Sequence, residues 1–206
     1  KTKDELSALT EQAKELGATT AFTAIQVVGL QTELAKLGFT VQEIENSTPA
    51  ILGLAASLEV DLSSAAMLAG STVRAFGLDT TETQRVVDVL AKSTSKSALD
   101  FQGLTEALKL VAPTSRATGV SIEKTTALLG VLADSGLKGS IAGTGLSKTF
   151  IELNKKGLTL EQGLDKVNNS SNKLNTAIDL VGIVGAKSLL NLAGAGDKIV
   201  TLNETL

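Results

Sequence analysis

The residues of this chain best spaced for chemistry are the glycines and lysine of Gly139-Ser140-Ile141-Ala142-Gly143-Thr144-Gly145-Leu146-Ser147-Lys148-Thr149. A glycine-rich turn ending in Lys and Thr can cradle a phosphate, because backbone N–H groups reach an anion closely where no Cβ intervenes. A phosphate loop, however, sets its last Gly and its Lys side by side and springs from a buried strand. Here Gly145 and Lys148 are three residues apart and the preceding segment is patterned as helix. The run is therefore read as a helix junction in which Gly139, Ala142, Gly143 and Gly145 let two backbones come close. The second candidate set is acidic: Asp88, Asp100, Glu106, Asp134, Glu152, Asp165, Asp179 and Asp197. A glycosidase needs two carboxylates facing across a cleft, roughly 5–10 Å apart. These are dispersed singly, so they are read as helix caps and solvated faces.

Missing residue types narrow the chemistry further. The chain has no Cys and no His, which removes thiolate nucleophiles, Cys–metal sites, the usual neutral-pH base and the commonest metal ligand. Trp and Tyr are also absent, so sugar stacking and two residue types favoured at binding hot spots are lost. Net charge is −3, with only Arg74, Arg85 and Arg116 as arginines, and a DNA-gripping surface needs a basic excess. Composition thus argues against an enzyme, a bound cofactor or metal, and direct nucleic-acid binding. The segment 177–200 is apolar and glycine-rich, but Asp179, Lys187, Asn191, Asp197 and Lys198 interrupt it. A membrane span needs about 20 mostly apolar residues, so a buried or interfacial helix is expected there.

The elements that must position these residues are helices. Leucine and alanine are abundant, and the only aromatics are five phenylalanines, which favours helix over strand. An apolar residue followed by a Thr, Ser or Asp cap recurs at Phe39-Thr40, Val60-Asp61, Leu78-Asp79, Leu99-Asp100 and Val120-Ser121, with the caps 21, 18, 21 and 21 residues apart. Each phrase predicts a short amphipathic helix with a candidate hydrophobic staple. Thr23 and Thr159, each with Gln three residues on, predict two further caps. Gly17, Gly38, Gly77 and Gly157 read as stops. Pro49 is expected to open a fresh helix at Ala50, and Pro113 to interrupt the helix begun at Asp100. Apolar sides are drawn through Leu6, Leu9, Ala13 and Leu16; Val28, Leu34 and Leu37; Ile141, Leu146, Phe150 and Leu153; and Leu174, Ile178, Val181 and Val184. The expectation is an all-α fold, a compact bundle of about nine to eleven short amphipathic helices with a quasi-repeated helix-turn-helix character; a solenoid is the less favoured alternative. The polar run 168–172 is the best linker. The chain starts without Met and ends within a helical pattern, so it is expected to be a segment of something longer.

Several phrases occur in a specific order: Val87-Asp88-Val89-Leu90-Ala91, Ala107-Leu108-Lys109-Leu110-Val111-Ala112-Pro113, Gly119-Val120-Ser121, Leu132-Ala133-Asp134-Ser135-Gly136-Leu137-Lys138-Gly139-Ser140 and Ala142-Gly143-Thr144. Together they resemble the core domain of bacteriophage tail tape measure proteins, over roughly residues 20–155. Upstream, Leu34-Ala35-Lys36-Leu37-Gly38-Phe39-Thr40 and Phe76-Gly77-Leu78 fit the same pattern. The chain departs at Leu110, where that family often has an aromatic, and at Gly145, where Ala is usual.

The resemblance implies three parts: residues 1–19 leading in from a longer chain, 20–156 as the core helical domain, and 157–206 as additional helices. It also implies a structural protein of the virion tail, made in the bacterial host cytoplasm. Such proteins set tail length and leave the tail ahead of the DNA. The implied partners are tail tube, baseplate or tip proteins and tail chaperones, with self-association and a host membrane as further partners. The alternative is a membrane-active helical module, and a cell-wall hydrolase is the remote third.

Overall fold

A cap that satisfies the free N–H groups of a first turn is worth about 1 kcal/mol, and this chain uses the device at most of its helices. The computed structural model describes residues 3–206. Eleven α-helices and no strand occur among the described residues: α1 (Lys3–Thr19), α2 (Ala24–Lys36), α3 (Val41–Leu58), α4 (Leu62–Phe76), α5 (Thr83–Ser95), α6 (Phe101–Ala117), α7 (Ile122–Asp134), α8 (Gly139–Lys155), α9 (Leu160–Asn168), α10 (Lys173–Ala193) and α11 (Gly196–Thr205). Thr23, Thr40 and Thr159 form complete capping boxes with Gln26, Glu43 and Gln162. Asp61, Asp100 and Ser121 each accept one backbone N–H three residues on. Asp79 caps a 3-10 turn (Thr80–Glu82) that leads into α5, where an α-helix was expected.

Three expected breaks are not breaks. α1 runs through Gly17 to Thr19; a Cβ at Gly17 would strike the backbone nitrogen of Ala24. α6 runs through Pro113, and Ala112 stays helical. Pro113 lies on the exposed side of α6 next to exposed Lys109, whose carbonyl, deprived of its helical donor, can take water instead. α3 runs through Pro49, so no new helix opens at Ala50. Proline there leaves the Glu45 carbonyl without its i+4 donor, and the Gln12 side chain supplies one, Nε2 to O at 2.8 Å. Sequence rules count the bond that proline removes and are blind to a donor arriving from another helix.

The chain divides into two compact units, Lys1–Ala91 and Lys92–Leu206, with the division inside α5. The boundaries drawn from sequence at 19 and 156 fall inside these units. In the first, α2 packs on α1, α3 and α4, and α3 packs on α4. Its core holds Val27, Leu30, Leu34, Phe39, Ile44, Ile51, Leu54, Ala66 and Val73. In the second, α8 lies against α6 and α10, α10 also meets α9 and α7, and α7 meets α11. A solenoid would pair mainly neighbouring helices, whereas the α7–α11 and α7–α10 pairs join helices distant in sequence. The unit is a bundle around Leu104, Leu128, Leu129, Leu132, Leu146, Phe150 and Leu189.

Some apolar stripes rotate from their expected faces. Val28, Ile141, Leu174 and Val184 are exposed, as is Leu6. Val27 and Leu30 replace Val28 inside α2, and Ala142 replaces Ile141 in α8. In α8 a small residue decides the face, because an Ala turned inward lets the neighbouring helix come closer than Ile141 would.

Two polar clusters in the first unit carry predictions. Gln31, 5% exposed, donates to the Leu9 carbonyl and to Gln12 Oε1, both at 3.1 Å. The pair ties α1 to α2 and to the proline position of α3. Gln12→Ala should cost about 1 kcal/mol, a typical net hydrogen bond with some cost for the orphaned carbonyl, read as a lowered urea midpoint; no change would show that water replaces the amide.

At the start of α3, Thr40 N–H donates to Glu43 at 2.7 Å, and Arg74 lies 3.4 Å from the same carboxylate and 4.3 Å over the Phe39 ring. The Thr40 backbone bond, with help from the Thr40 hydroxyl, Arg74 and Thr80 and against the opposing effect of burial, holds the Glu43 carboxyl below its ordinary value. The folded pKa is depressed, so this stabilisation is complete above the unfolded Glu range near ~4.3 and is lost as pH falls through the lower folded value. Glu43→Gln keeps an acceptor but loses the charge. The stability gap between wild type and Glu43→Gln should therefore shrink as urea titrations move from neutral pH to below about 3. A gap constant with pH would remove the charge from the account.

Candidate functional site

The glycine run forms the first half of α8, held between α6 and α10. Gly139 opens the helix, with Lys138 in the cap position but making no side-chain capping bond. Gly143 faces α6 so closely that a Cβ would sit 2.6 Å from the Ala107 carbonyl oxygen and 2.8 Å from its Cα. Gly145 faces α10, where a Cβ would collide with the Ser188 hydroxyl. Hydroxyls bridge the same seams. Thr149 donates to Gly145 O at 2.9 Å in its own helix and to Gly185 O at 3.3 Å in α10. Thr114 and Ser147 pair at 2.8 Å between α6 and α8. Gly143 and Gly145 are thus inside a helix and pressed against the neighbouring α6 and α10, not in a loop.

The carboxylates serve local structure. Asp100 Oδ1 accepts Gly103 N–H at 2.7 Å, and its Oδ2 lies 3.4 Å from Lys138. Asp134 accepts Ala98 N–H at 2.6 Å and pairs with Lys198 at 2.7 Å, fastening α11 to the end of α7. Gln84 donates to Asp88, Gln102 donates to Glu106, and Lys155 pairs with Glu152. Among the described residues no group of three or more acidic side chains is placed to hold a metal ion.

The family-motif residues do not converge on one place. Asp88 is exposed on α5, with Leu90 buried and Ala91 half-buried. Leu108 and Ala112 are buried on α6, while Pro113 is exposed. Gly119 precedes the Ser121 cap of α7, and Gly136, Lys138 and Gly139 make the turn from α7 into α8. Ser140 and Thr144 are exposed on α8, and Ala142 and Gly143 are buried. What unites the buried ones on α6 and α8 is the seam between those two helices.

Two features escaped the sequence reading. One is a recess of 460 Å³ where the starts of α7 and α9 meet α8, floored by Val120, Phe150 and Leu158. Its rim is closed by Lys124 and Glu161 at 3.2 Å. Burial pushes the Glu161 carboxyl upward, but backbone and Lys124 interactions outweigh it and leave the group below its ordinary value. The other is a break in α10. Gly182 has φ 71° and ψ 172°, a region open essentially to glycine alone, and the Lys156 ammonium donates to the Asp179 carbonyl at 2.5 Å beside it. The break turns Ile183 outward, 80% exposed, next to exposed Val184. The glycine richness of 177–200 was visible in the sequence; which glycine bends, and in which direction, was not.

A family model described as phage-related minor tail protein matches residues 10–199, nearly the whole chain. A tape measure protein of Pneumococcus phage Dp-1 is 35% identical over 108 residues, 52% of this chain and 9% of that protein. A probable tape measure protein of Escherichia phage P2 is 38% identical over 104 residues, 50% of this chain and 13% of that protein. The chain therefore spans a small fraction of these relatives. No solved structure matches it.

Proposed function

The chain belongs to the family of phage-related minor tail proteins, and we propose that it is a folded, non-enzymatic structural module of a tail tape measure protein. The observation that carries this reading is the family match over residues 10–199, which covers α2 to α10, most of α1 and the start of α11. Identity to two proteins bearing the tape measure name supports it. In this role the parent protein sets tail length during assembly and leaves the tail during genome delivery, in contact with tail tube, baseplate or tip proteins and tail chaperones. Drawn as one helix the chain would reach roughly 300 Å. Its helices instead bury their apolar faces in two bundles, so the module works through packing and leaves the ruling of length to other parts of the parent.

The test is electron microscopy of phage whose parent gene lacks this segment in frame. Absent, misassembled or non-infectious tails are expected; normal infectious tails of normal length would overturn the role.

A membrane-active module is the second reading, favoured by α10. Its 21 residues reach a mean hydropathy of 1.4 over an 18-residue window, half of that window is buried, and Gly182 breaks it. Leakage of dye-loaded vesicles on adding the chain would support this reading, and an absence of leakage and binding would remove it.

A further inference from the structure

We infer that α11 is a detachable strap, docked in a groove of α7 that stays formed when the strap leaves and that takes an amphipathic helix of α11's own pattern. The attachment is slight. Within α11 the buried residues are Ile199 and Leu202, while Val200 is 54% exposed. One ion pair adds to them, Lys198 to Asp134 at 2.7 Å, with the lysine half exposed. The helix begins without help: Ala195 stands in the cap position and makes no side-chain bond. Glycines flank that position. A Cβ would meet nothing within 4 Å at Gly196, and at Gly194 would meet the Asn191 carbonyl oxygen at 3.9 Å. The joint to α10 is therefore free to turn. A helix of 10 residues does not persist alone in water, so α11 docks and unfolds as one unit.

The groove does not depend on the strap, because α7 also packs against α6, α8 and α10. Lys198 meets Asp134, and Leu202 Cδ1 lies 3.4 Å from the place of a Cβ on Gly130. Both helices advance by one turn between these contacts, in opposite senses, so they run antiparallel and in register. Gly130 is the floor: its missing side chain leaves room for Leu202, and the Ser97 Cβ, 3.1 Å from the same place, is a wall. Asp134 is the acidic end. Its bond to Ala98 N–H at 2.6 Å does not involve α11 and holds the carboxylate in place. A groove so built takes a leucine one turn after a lysine, which is the order Lys198, Leu202. This reading rests on the contact between α7 and α11 and does not depend on the tail assignment.

Hydrogen exchange of the 206-residue chain, read by mass spectrometry under native conditions, tests the strap. Amides of α11 are expected to exchange about a hundredfold or more faster than those of α7 and α8. Leu202→Ala should speed exchange in α11 by about a further tenfold or more. Lys198→Ala should do so by up to about fivefold. Exchange in α6 and α8 should not change in either variant. A fluorescent peptide of residues 194–206 tests the groove. By anisotropy it should bind the Leu202→Ala chain about tenfold or more tightly than the wild-type chain, whose own strap competes at high effective concentration. A peptide carrying Leu202→Ala should bind neither. Exchange of α11 only at the rate of α7 would overturn the inference, as would a Leu202→Ala chain in which α6 and α8 lose protection together with α11. Fast exchange in α11 with no peptide binding up to about 1 mM would make α11 a frayed helix without a groove, and would overturn it equally.

Discussion

Gly143→Ala is expected to unfold about 1–3 kcal/mol more easily than the wild-type chain, and Gly143→Leu at or beyond the upper end of that range. One added carbon at this position meets the Ala107 oxygen at 2.6 Å and the Ala107 Cα at 2.8 Å. Both are backbone atoms of α6, so no rotamer change can make room, and α6 and α8 must move apart. Separation would loosen the seam that holds Leu104, Leu108 and Leu146, all buried. A control separates this from helix propensity. Gly53 is also helical, in α3, but nothing lies within 4 Å of its missing Cβ. Gly53→Ala should therefore stabilise, by about 0.5–1 kcal/mol. Urea denaturation of the pair gives opposite signs if close packing governs Gly143. Equal signs would mean that the α6–α8 seam yields readily. Gly145→Ala is an intermediate case, since its obstacle is the Ser188 hydroxyl, which can rotate away at the cost of its environment.

Gly182→Ala is the second large effect, and it is expected despite open space around the site. No atom lies within 4 Å of a Cβ built there, so packing predicts no loss. The backbone predicts one: φ 71° with ψ 172° costs an L-residue about 1–3 kcal/mol. The chain can escape only by straightening α10, which would return the Asp179 carbonyl to the helix ladder and release Lys156. The two responses are separable. If the kink persists, stability falls and Lys156→Ala remains destabilising in the Gly182→Ala background. If the helix straightens, far-ultraviolet circular dichroism shows added helix and Lys156→Ala becomes silent. Unchanged stability, unchanged helix content and a still-effective Lys156 together would refute the strain argument.

The same two glycines show how far the sequence could be read. Helix starts were legible because a cap is a local device: Thr40 and Glu43, or Thr159 and Gln162, are three residues apart and need no distant partner. The order of motifs from Val87 to Thr144 was legible as a family pattern for the same reason, since it is a property of the string. The reading failed where a local rule was answered from elsewhere. Pro49 should end a helix, yet Gln12, 33 residues away from the bonded carbonyl, supplies a donor. Ile141 should lie inside α8, yet Ala142 and Gly143 face α6 because they allow closer approach.

By itself, then, the sequence determined an all-α chain, the places where most of its helices begin, and its membership of a tail protein family. It also withheld Cys and His, which removes the chemistry those residues supply. Only the tertiary structure decided which glycines are packed and which are merely bent, that α1 rides on a glutamine pair, and that Ile183 faces outward. The physical reason is one of range. Caps and apolar period are settled within one or two turns of a helix, whereas a rotation of a helix about its axis, or a vacant carbonyl filled by a side chain, is settled by whichever neighbour arrives.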